Sequence, residues 1–339
     1  LAPAMALLAD VVRRPAFPRG PVERMSDEQL ADILQRKKEP RALASDAAAH
    51  FIFDDGVPYA RPIRGADASV RELGPDHLRA FHDERYRAGS TALVVTGQMD
   101  LEAARDAARE HFGDWRGEPA PAPDFDVRPR SEGAVVHIVH RPGSVQSEIR
   151  LGHVGVERRH RDYFPLLVMN TILGGAFTSR LNISLRERHG FTYGARSAFE
   201  FRRRPGPFTV DVAVASDVTG RAIEEAMKEI GQLREDGPTR EELDSARDYL
   251  HGVLPLRLQT TSALAARLAG LAVFDLPADY FQHYRDHIAE VTGEEVHRVA
   301  REAVRPEAMA LVVVGDAEQI EEPIRALGMG EIHVHESLP

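Results

Sequence analysis

Residues 92–97 read Ala-Leu-Val-Val-Thr-Gly, and residues 310–315 read Ala-Leu-Val-Val-Val-Gly. An apolar run that stops at glycine is typical of a strand buried in a sheet. The agreement extends outward without a gap, because residues 69–97 match residues 287–315 at a shift of 218 positions. In each copy an amphipathic helix ends before the apolar run. The sequence therefore predicts a duplicated α/β unit, since each copy must bury the same helix stripe against the same sheet face.

The two copies differ in what precedes them. Residues 133–220, before the second copy, supply further strands and a helix, whereas the first copy has no such counterpart. Leu1 runs straight into a helical pattern. We therefore expect the first domain to be incomplete at its N-terminus, with its opening segment missing.

The fold class predicted from the order of elements is α+β. We expect two duplicated layered domains, each a mostly antiparallel sheet covered by helices. The first domain would span residues 1–115 and the second residues 133–339, joined by a linker at 116–132 whose regularly spaced prolines keep it extended. The predicted strands of the second domain lie at 134–140, 147–154, 193–201, 206–215 and 310–315.

Composition limits the class of protein. The formal net charge of −10 argues against a nucleic-acid binder, and we interpret the arginine triplet 202–204 as a solvated strand end. The absence of cysteine excludes disulfides, thiolate zinc sites and a cysteine nucleophile, and it suits either a periplasmic or a cytoplasmic bacterial protein. No stretch approaches 18 uninterrupted apolar residues, so we expect no membrane span.

The densest group of chemically useful residues is LGGAFTSRLNISLRERHGFTY at 173–193. Glycines such as Gly174 and Gly175 allow close approach to a backbone. Arg186 follows on a helix and Tyr193 opens the next strand, so a guanidinium and a phenol could meet a peptide carbonyl that becomes an oxyanion. In the alternative interpretation, Arg186 pairs with Glu187 or a neighbouring acid and Tyr193 packs in the sheet. Spacing alone leaves both open.

The same segment resembles the pitrilysin/insulinase family of zinc peptidases, the inverzincins that carry a His-x-x-Glu-His motif. The resemblance rests on LGGAFTSRL and LRERHGFTY in the second of two duplicated domains, and it covers the whole chain. First-domain segments of the family are similar to VVRRPAF at 11–17, PYARPIRG at 58–65 and ALVVTG at 92–97. The resemblance implies a two-domain bacterial protein of the type of the mitochondrial processing peptidase.

The resemblance also implies roles for particular residues. Arg186 and Tyr193 would act in catalysis by binding the substrate and steadying the tetrahedral intermediate, opposite a zinc ion held by another domain. Gly174 and Gly175 would contact the peptide substrate. Zinc is therefore expected in the functional assembly, with none bound by residues 1–339.

The family's zinc ligands are not matched in this sequence. No His-x-x-Glu-His occurs, and Asp32 stands where the family carries a glutamate ligand, while Met25 occupies a second position that is usually acidic. We interpret the stretch from His153 to His160 as solvated surface, because its spacing does not suit a metal. The segment 333–335 places two histidines on one face of a strand, which we interpret as a polar edge.

Three functions remain open at this stage. In the first, the chain is a zinc-less subunit that pairs with a homologous zinc-bearing subunit, or with a second copy, to cleave unfolded peptides. In the second, it is the remainder of a complete zinc peptidase whose motif lies upstream of Leu1. In the third, it is a non-catalytic scaffold of the same fold.

Overall fold

A computed structural model describes residues 1–338 of the protein. Two compact units are distinguished by their internal contacts. Unit 1 comprises Leu1–Gln35, Arg64–Phe125 and Pro255–Asp275, and unit 2 comprises Arg36–Ile63, Asp126–Leu254 and the chain from Leu276 onward. All strands of the described chain lie in unit 2.

The elements follow one another in a mixed order. The strands are β1 Val135–His140, β2 Gln146–Val154, β3 Ala195–Phe199, β4 Pro207–Ala215, β5 Ala310–Gly315 and β6 Glu331–His335. The α-helices are α1 Ala2–Arg13, α2 Arg19–Lys38, α3 Pro40–Ile52, α4 Asp67–Glu72, α5 Pro75–Arg85, α6 Leu101–Phe112, α7 Tyr163–Asn170, α8 Arg180–Asn182, α9 Thr219–Asp236, α10 Arg240–Leu256, α11 Thr261–Phe274, α12 Tyr284–Glu290, α13 Gly293–Ala303 and α14 Ala317–Arg325. Short 3₁₀ turns occupy Pro58–Ala60, Ala88–Ser90, Ser216–Val218 and Pro306–Ala308, and two π-helical segments occupy Thr171–Gly175 and Ile183–Arg188.

The sheet of unit 2 is built around β5. The strand order is β3-β4-β2-β5-β1-β6, and β5 pairs antiparallel with β2 on one side and parallel with β1 on the other. Every residue of β5 is buried, as its unbroken apolar run predicts. Three of the five strand pairings are antiparallel. The predicted α+β class with a mostly antiparallel sheet is therefore confirmed in unit 2.

Helix α3 covers one face of this sheet. It begins at Pro40, where the Glu39 carboxylate caps the backbone N–H groups of Arg41 and Ala42. Three of its six buried residues are alanines, which lets the helix approach β2 and β5 closely. Gly152 of β2 has no room for a side chain, because an added Cβ would lie 2.7 Å from Ile52 Cδ1. The alanine stripe and this glycine therefore match each other across the interface.

The opposite face of the sheet is covered by α9 and its neighbours. Ser147 of β2 is fully buried, and its side chain points away from that of Arg150, whose guanidinium donates to Arg41 O of α3. Ser147 Oγ accepts a hydrogen bond from Thr219 Oγ1 at the start of α9, at 2.8 Å. Helix α9 in turn packs against α13 and α14. Unit 2 is thus a sheet between two helical layers.

The first copy of the repeated segment behaves differently from the second. Residues 92–97 form no strand, although their sequence nearly repeats that of β5. Within residues 1–338 no strand lies beside them, and their backbone N–H groups donate to no other backbone group of the described chain. The strand predicted here is therefore wrong for this structure, because an apolar run becomes a strand only when a neighbouring strand takes its hydrogen bonds.

Unit 1 exposes apolar side chains beside this segment. Leu7, Leu8 and Val11 of α1 and Leu93 of the extended segment are all exposed. A cavity of about 280 Å³ lies here, and its lining includes Leu8, Val12, Leu93, Phe112 and Trp115. None of the helices in the described residues is both long and apolar enough to cross a bilayer.

The compact units do not follow the order of the chain. Unit 2 includes α3 from the first half, and unit 1 includes α11 from the second half. Helix α3 precedes the first copy of the repeated segment and α11 precedes the second, so each half of the chain contributes one such helix to the other unit. The predicted domains 1–115 and 133–339 describe the duplicated sequence, and their bounds and the linker remain a prediction.

Two histidines are buried in unit 2. The His137 ring stacks on Phe51 of α3 at 3.8 Å, and its Nδ1 lies 3.1 Å from His335 Nε2. Burial, with the nearby His335 and His333 adding to it, lowers the pKa of His137 to about 3. Burial likewise lowers the pKa of His153 to about 4, and His153 Nε2 accepts the Arg305 N–H. The prediction of solvated surface is therefore wrong for His153, and residues 333–335 form an edge strand whose histidines meet His137.

Acid is expected to unfold the protein partly through these two histidines. The folded pKa values of both histidines lie below the unfolded value of about 6.5, so the unfolded state binds more protons as the pH falls below about 6.5. The free energy of unfolding is therefore highest above about pH 6.5 and decreases with acid. Together they should remove about 3–4 kcal/mol of unfolding free energy between pH 7 and pH 5. Urea titrations at both values measure the loss, and in His137→Phe about half of it should vanish. An unaltered pH dependence in that variant would contradict the assignment.

Hydrogen exchange should separate the two copies of the repeat. The amides of residues 93–96 are expected to exchange on the order of a hundredfold faster than those of residues 311–314, because only the β5 amides have strand partners. Exchange of residues 1–339 followed by mass spectrometry measures both segments in one experiment, with α6 as an internal reference within unit 1. Equal protection of the two segments would show that 92–97 is paired in solution.

Candidate peptide-binding site

The predicted site segment is built on two π-helical turns. Residues 171–175 and 183–188 have this wide geometry, and a turn with the short helix α8 separates them. π-Helical turns are rare and occur frequently at functional sites, because the extra residue redirects the side chains around it. Arg186 lies in the second π-helical segment.

Arg186 is held by an aromatic ring. Its guanidinium carbon lies 4.2 Å from the centroid of the Phe177 ring, and the Phe177 side chain is itself 67% exposed. Arg186 Nη1 is buried and has no hydrogen-bond partner among residues 1–338, and Glu187 Oε1 is 3.6 Å away, beyond hydrogen-bond distance. The pairing of Arg186 with Glu187, which the sequence offered as an alternative, is therefore present as an ion pair without a hydrogen bond. The arrangement leaves a positioned cationic donor without an acceptor.

Tyr193 projects fully into solvent. The residue is 98% exposed and lies in the turn before β3, which begins two residues later than predicted at Ala195. Within the described chain its phenol makes no hydrogen bond or ring contact, so the alternative in which it packs in the sheet does not hold. Arg186 and Tyr193 share one surface segment, residues 183–194, without a direct contact between them. Within the described residues, neither Arg186 Nη1 nor the Tyr193 hydroxyl therefore makes a hydrogen bond.

Basic side chains of this segment and of α8 lie beside glutamates of α9 and α10. Arg188 Nη1 lies 3.7 Å from Glu229 Oε1 of α9, and His189 Nε2 lies 3.6 Å from Glu225 Oε2 of the same helix. Arg180 of α8 forms a bidentate pair with Glu242 of α10, at 2.6 and 2.8 Å. Burial opposes ionisation of Glu242, but its hydrogen bonds from Arg180 and Thr239 outweigh this effect and hold its pKa below the usual range.

Gly174 and Gly175 lie where space is limited. Gly174 is buried, and an added Cβ would stand 2.3 Å from Ser197 N and 2.6 Å from Ser197 Oγ. At Gly175 an added Cβ would meet the side chain and backbone of Asn170 at 3.0 Å. Close packing of the first π-helical segment is thus a sufficient reason for glycine at both positions. Their contact with substrate remains a prediction.

Sequence reasoning missed Asn170 and Asn182. Each asparagine directly precedes one of the two π-helical segments, and both amides reach the start of β3. A sequence signal was available, because the chain contains only these two asparagines and both fall within or beside the glycine-rich motif. Their positions suggest that they shape the site.

The described residues do not fit a zinc ion. Residues 1–338 contain no group of three or more histidine, aspartate or glutamate side chains placed to hold a metal. The Asp32 carboxylate, which the resemblance aligns with a family zinc ligand, pairs with Arg64. Met25 is exposed and offers no oxygen. The Arg64 guanidinium therefore occupies the carboxylate that a zinc ion would need as a ligand.

Comparison with known proteins gives a consistent set of relatives. The matching family description is "Peptidase M16 inactive domain", over residues 72–250. An uncharacterized zinc protease of Mycobacterium tuberculosis is 28% identical over 328 residues, which covers 96% of this chain and 74% of that protein. A Helicobacter pylori protein named as a non-peptidase homolog is 20% identical over 296 residues, which covers 87% of this chain and 67% of that protein.

Solved structures are similar over most of the chain. A peptidase M16 inactive domain from Pseudomonas fluorescens has a TM-score of 0.86 at 26% identity, covering 93% of this chain and 75% of that one. A chain of complex III from Candida albicans has a TM-score of 0.79 at 14% identity, covering 96% of this chain and 80% of that one. The likeness to the Candida chain concerns the fold alone.

Gly174→Ala is expected to destabilise the protein by about 1–3 kcal/mol, because overpacking a tight site displaces neighbouring atoms. The displaced group would be the Ser197 backbone of β3. Gly231→Ala in α9 is the matched control, since an added Cβ there meets no atom within 4 Å and alanine favours the helix. Thermal and urea unfolding measure both variants. Equal changes in unfolding free energy in the two variants would show that the atoms around Gly174 move apart without destabilising the protein.

Proposed function

Because this chain belongs to the M16 peptidase family, we propose that it supplies Arg186 and Tyr193 to the peptide-binding site of a metallopeptidase assembly. The resemblance to the pitrilysin/insulinase peptidases is confirmed by this membership. The proposal rests on two side chains: the Arg186 guanidinium, which lies on Phe177 and makes no hydrogen bond through Nη1 within the described residues, and the fully exposed Tyr193 phenol.

The two groups suit a peptide carbonyl. A guanidinium presents several N–H donors in a fixed plane, and a phenol adds a neutral O–H donor. Donors that are already in place stabilise negative charge as it develops on the carbonyl oxygen, because little reorganisation is needed at that moment. Exposed Phe177 and Ile183 beside the pair would contact apolar side chains of an unfolded peptide. Backbone recognition of this kind does not depend on a particular peptide sequence.

Zinc would be held outside the described residues. The lack of a fitting ligand set and the pairing of Asp32 with Arg64 support a division of labour between polypeptides or domains. The partner would be a homologous zinc-bearing subunit or a second copy of this chain. The naming of relatives as zinc proteases supports zinc in such an assembly.

A non-catalytic role is the second candidate. It is supported by the name of the matching family description and by the Helicobacter pylori relative named as a non-peptidase homolog. A complete zinc peptidase with its motif outside this sequence is the third candidate. Elemental mass spectrometry of the natural gene product separates these possibilities: one zinc per chain indicates the complete peptidase, and no zinc indicates a partner subunit or a scaffold.

Tyr193→Phe is expected to lower peptide turnover by the assembled enzyme at least about tenfold, since one preorganised oxyanion donor is worth about 2.7–4 kcal/mol. The tagged chain is isolated with its natural partners, and cleavage of a quenched-fluorescence peptide is measured. Tyr249→Phe is the matched control, because Tyr249 is a partly exposed tyrosine on α10, outside the site. Wild-type turnover in Tyr193→Phe would refute the role of the phenol, and an assembly without any peptidase activity would favour a scaffold.

A further inference from the structure

The chain has only two asparagines, and both serve one strand. Asn170 ends α7 immediately before the first π-helical segment, and Asn182 ends α8 immediately before the second. Polar side chains in helices usually face water, but Asn182 is only 7% exposed. A buried amide of this kind needs partners for its donors and its acceptor.

Asn182 makes a two-way connection to the first residue of β3. Its Nδ2 donates to Ala195 O at 2.8 Å, and its Oδ1 accepts the Ala195 N–H at 3.0 Å. Nδ2 also lies within hydrogen-bond distance of Ala176 O, at 3.2 Å, and of Ser179 Oγ, at 3.1 Å. The side chain thus bonds Ala195 as a neighbouring strand would, and it joins that strand to the turn between the π-helical segments.

Asn170 bonds Ser197, two residues farther along the same strand. Its Nδ2 donates to Ser197 O at 3.0 Å, and its Oδ1 accepts from Ser197 Oγ at 2.8 Å. In the described part of the chain, strand β3 lies at the edge of the sheet and pairs with β4 alone. Peptide groups alternate sides along a strand, and Glu200 N–H donates to Pro207 O of β4. Ala195 and Ser197 therefore face the open edge, where the two asparagines meet them.

We infer that Asn182 is a positioning residue for Arg186 and Tyr193. The two side chains lie in the segment 183–194, and the Asn182 amide joins the two ends of that segment at residues 182 and 195. Arg186 follows Asn182 by about one helical turn, and Tyr193 precedes Ala195 by two residues. The inference rests on the proposed function, since it assigns a task at the same site.

The asparagines have a second consequence at the sheet edge. An exposed edge strand presents unpaired N–H and C=O groups to which another extended chain can add. At Ala195 and Ser197 the side-chain amides occupy groups of this edge. A peptide at this site is therefore held by the side chains of the segment 183–194 rather than by adding to the start of β3.

Asparagine is suited to this position because one planar group both donates and accepts. Aspartate keeps the acceptor for the Ala195 N–H but loses the donor, and its carboxylate would face the carbonyl oxygens of Ala195 and Ala176. Protonation of that aspartate would restore one donor. Alanine removes both functions at every pH.

The test compares Asn182→Ala, Asn182→Asp and the control Asn170→Ala with the wild type by hydrogen exchange of the complete chain. In Asn182→Ala, amides of residues 190–195 should exchange at least about tenfold faster, while those of β1 and β5 stay unchanged. Asn170→Ala should leave residues 190–195 at the wild-type rate, because the bonds at Ala195 remain. Asn182→Asp should resemble Asn182→Ala at pH 8 and approach the wild-type rate at pH 5.

Wild-type exchange rates at residues 190–195 in Asn182→Ala would overturn the inference. So would an exchange rate of Asn182→Asp, relative to the wild type at the same pH, that is equal at pH 8 and pH 5. Peptide turnover supplies a second readout: the loss in the double variant Asn182→Ala/Tyr193→Phe should be smaller than the product of the two single losses, because part of the Asn182 effect acts through Tyr193. A loss equal to that product would also overturn the inference. If Tyr193→Phe alone has no effect, the proposed function fails, while the exchange experiment still decides whether Asn182 holds the segment.

Discussion

Hydrogen bonding along strand edges is the constraint on which the rest of this structure depends. A peptide group withdrawn from water needs a partner, and an extended segment has two edges to satisfy. Strand β5 meets the requirement with β2 and β1, and it becomes the buried centre of the sheet. Residues 92–97 have nearly the same sequence but no neighbouring strand within residues 1–338, and they form no strand and stay partly exposed. The same apolar run thus has two outcomes that depend on its neighbours.

The candidate site follows from a third solution to the same constraint. Strand β3 has β4 on one side only, and at its open edge the amides of Asn170 and Asn182 act in place of a strand. The helical segments that carry these asparagines widen into π-helical turns, and the second turn presents Arg186. The asparagines that hydrogen-bond the open edge of β3 are therefore close in sequence to the side chains assigned to peptide binding in the proposed function.

The described residues of this chain offer no group of three side chains placed to hold zinc. In this chain Asp32, which the resemblance aligns with a family zinc ligand, pairs with Arg64, while His137 stacks on Phe51 and His153 accepts a backbone N–H. The parts that remain available are hydrogen-bond donors rather than metal ligands. Such a chain is suited to holding a peptide backbone while chemistry is supplied by other residues, which is the basis of the proposed function.

Local patterns in the sequence determined much of the fold. The helix Arg240–Leu256, the strands of unit 2 and the repeat itself were predictable, because periodic burial leaves a periodic apolar pattern. The motif around Arg186 and Tyr193 was also recognisable, because glycines and charged residues cluster there. The family itself followed from that motif.

Tertiary structure alone decided which segments meet. Periodicity reports that a residue is buried but not what covers it, so the exchange of α3 and α11 between the compact units was not visible. The unpaired state of 92–97 and the meeting of His137 with His335 likewise depend on contacts between distant positions. The two asparagines could be counted in the sequence, but their task appeared only when their amides lay beside β3, because a hydrogen bond requires both partners in place.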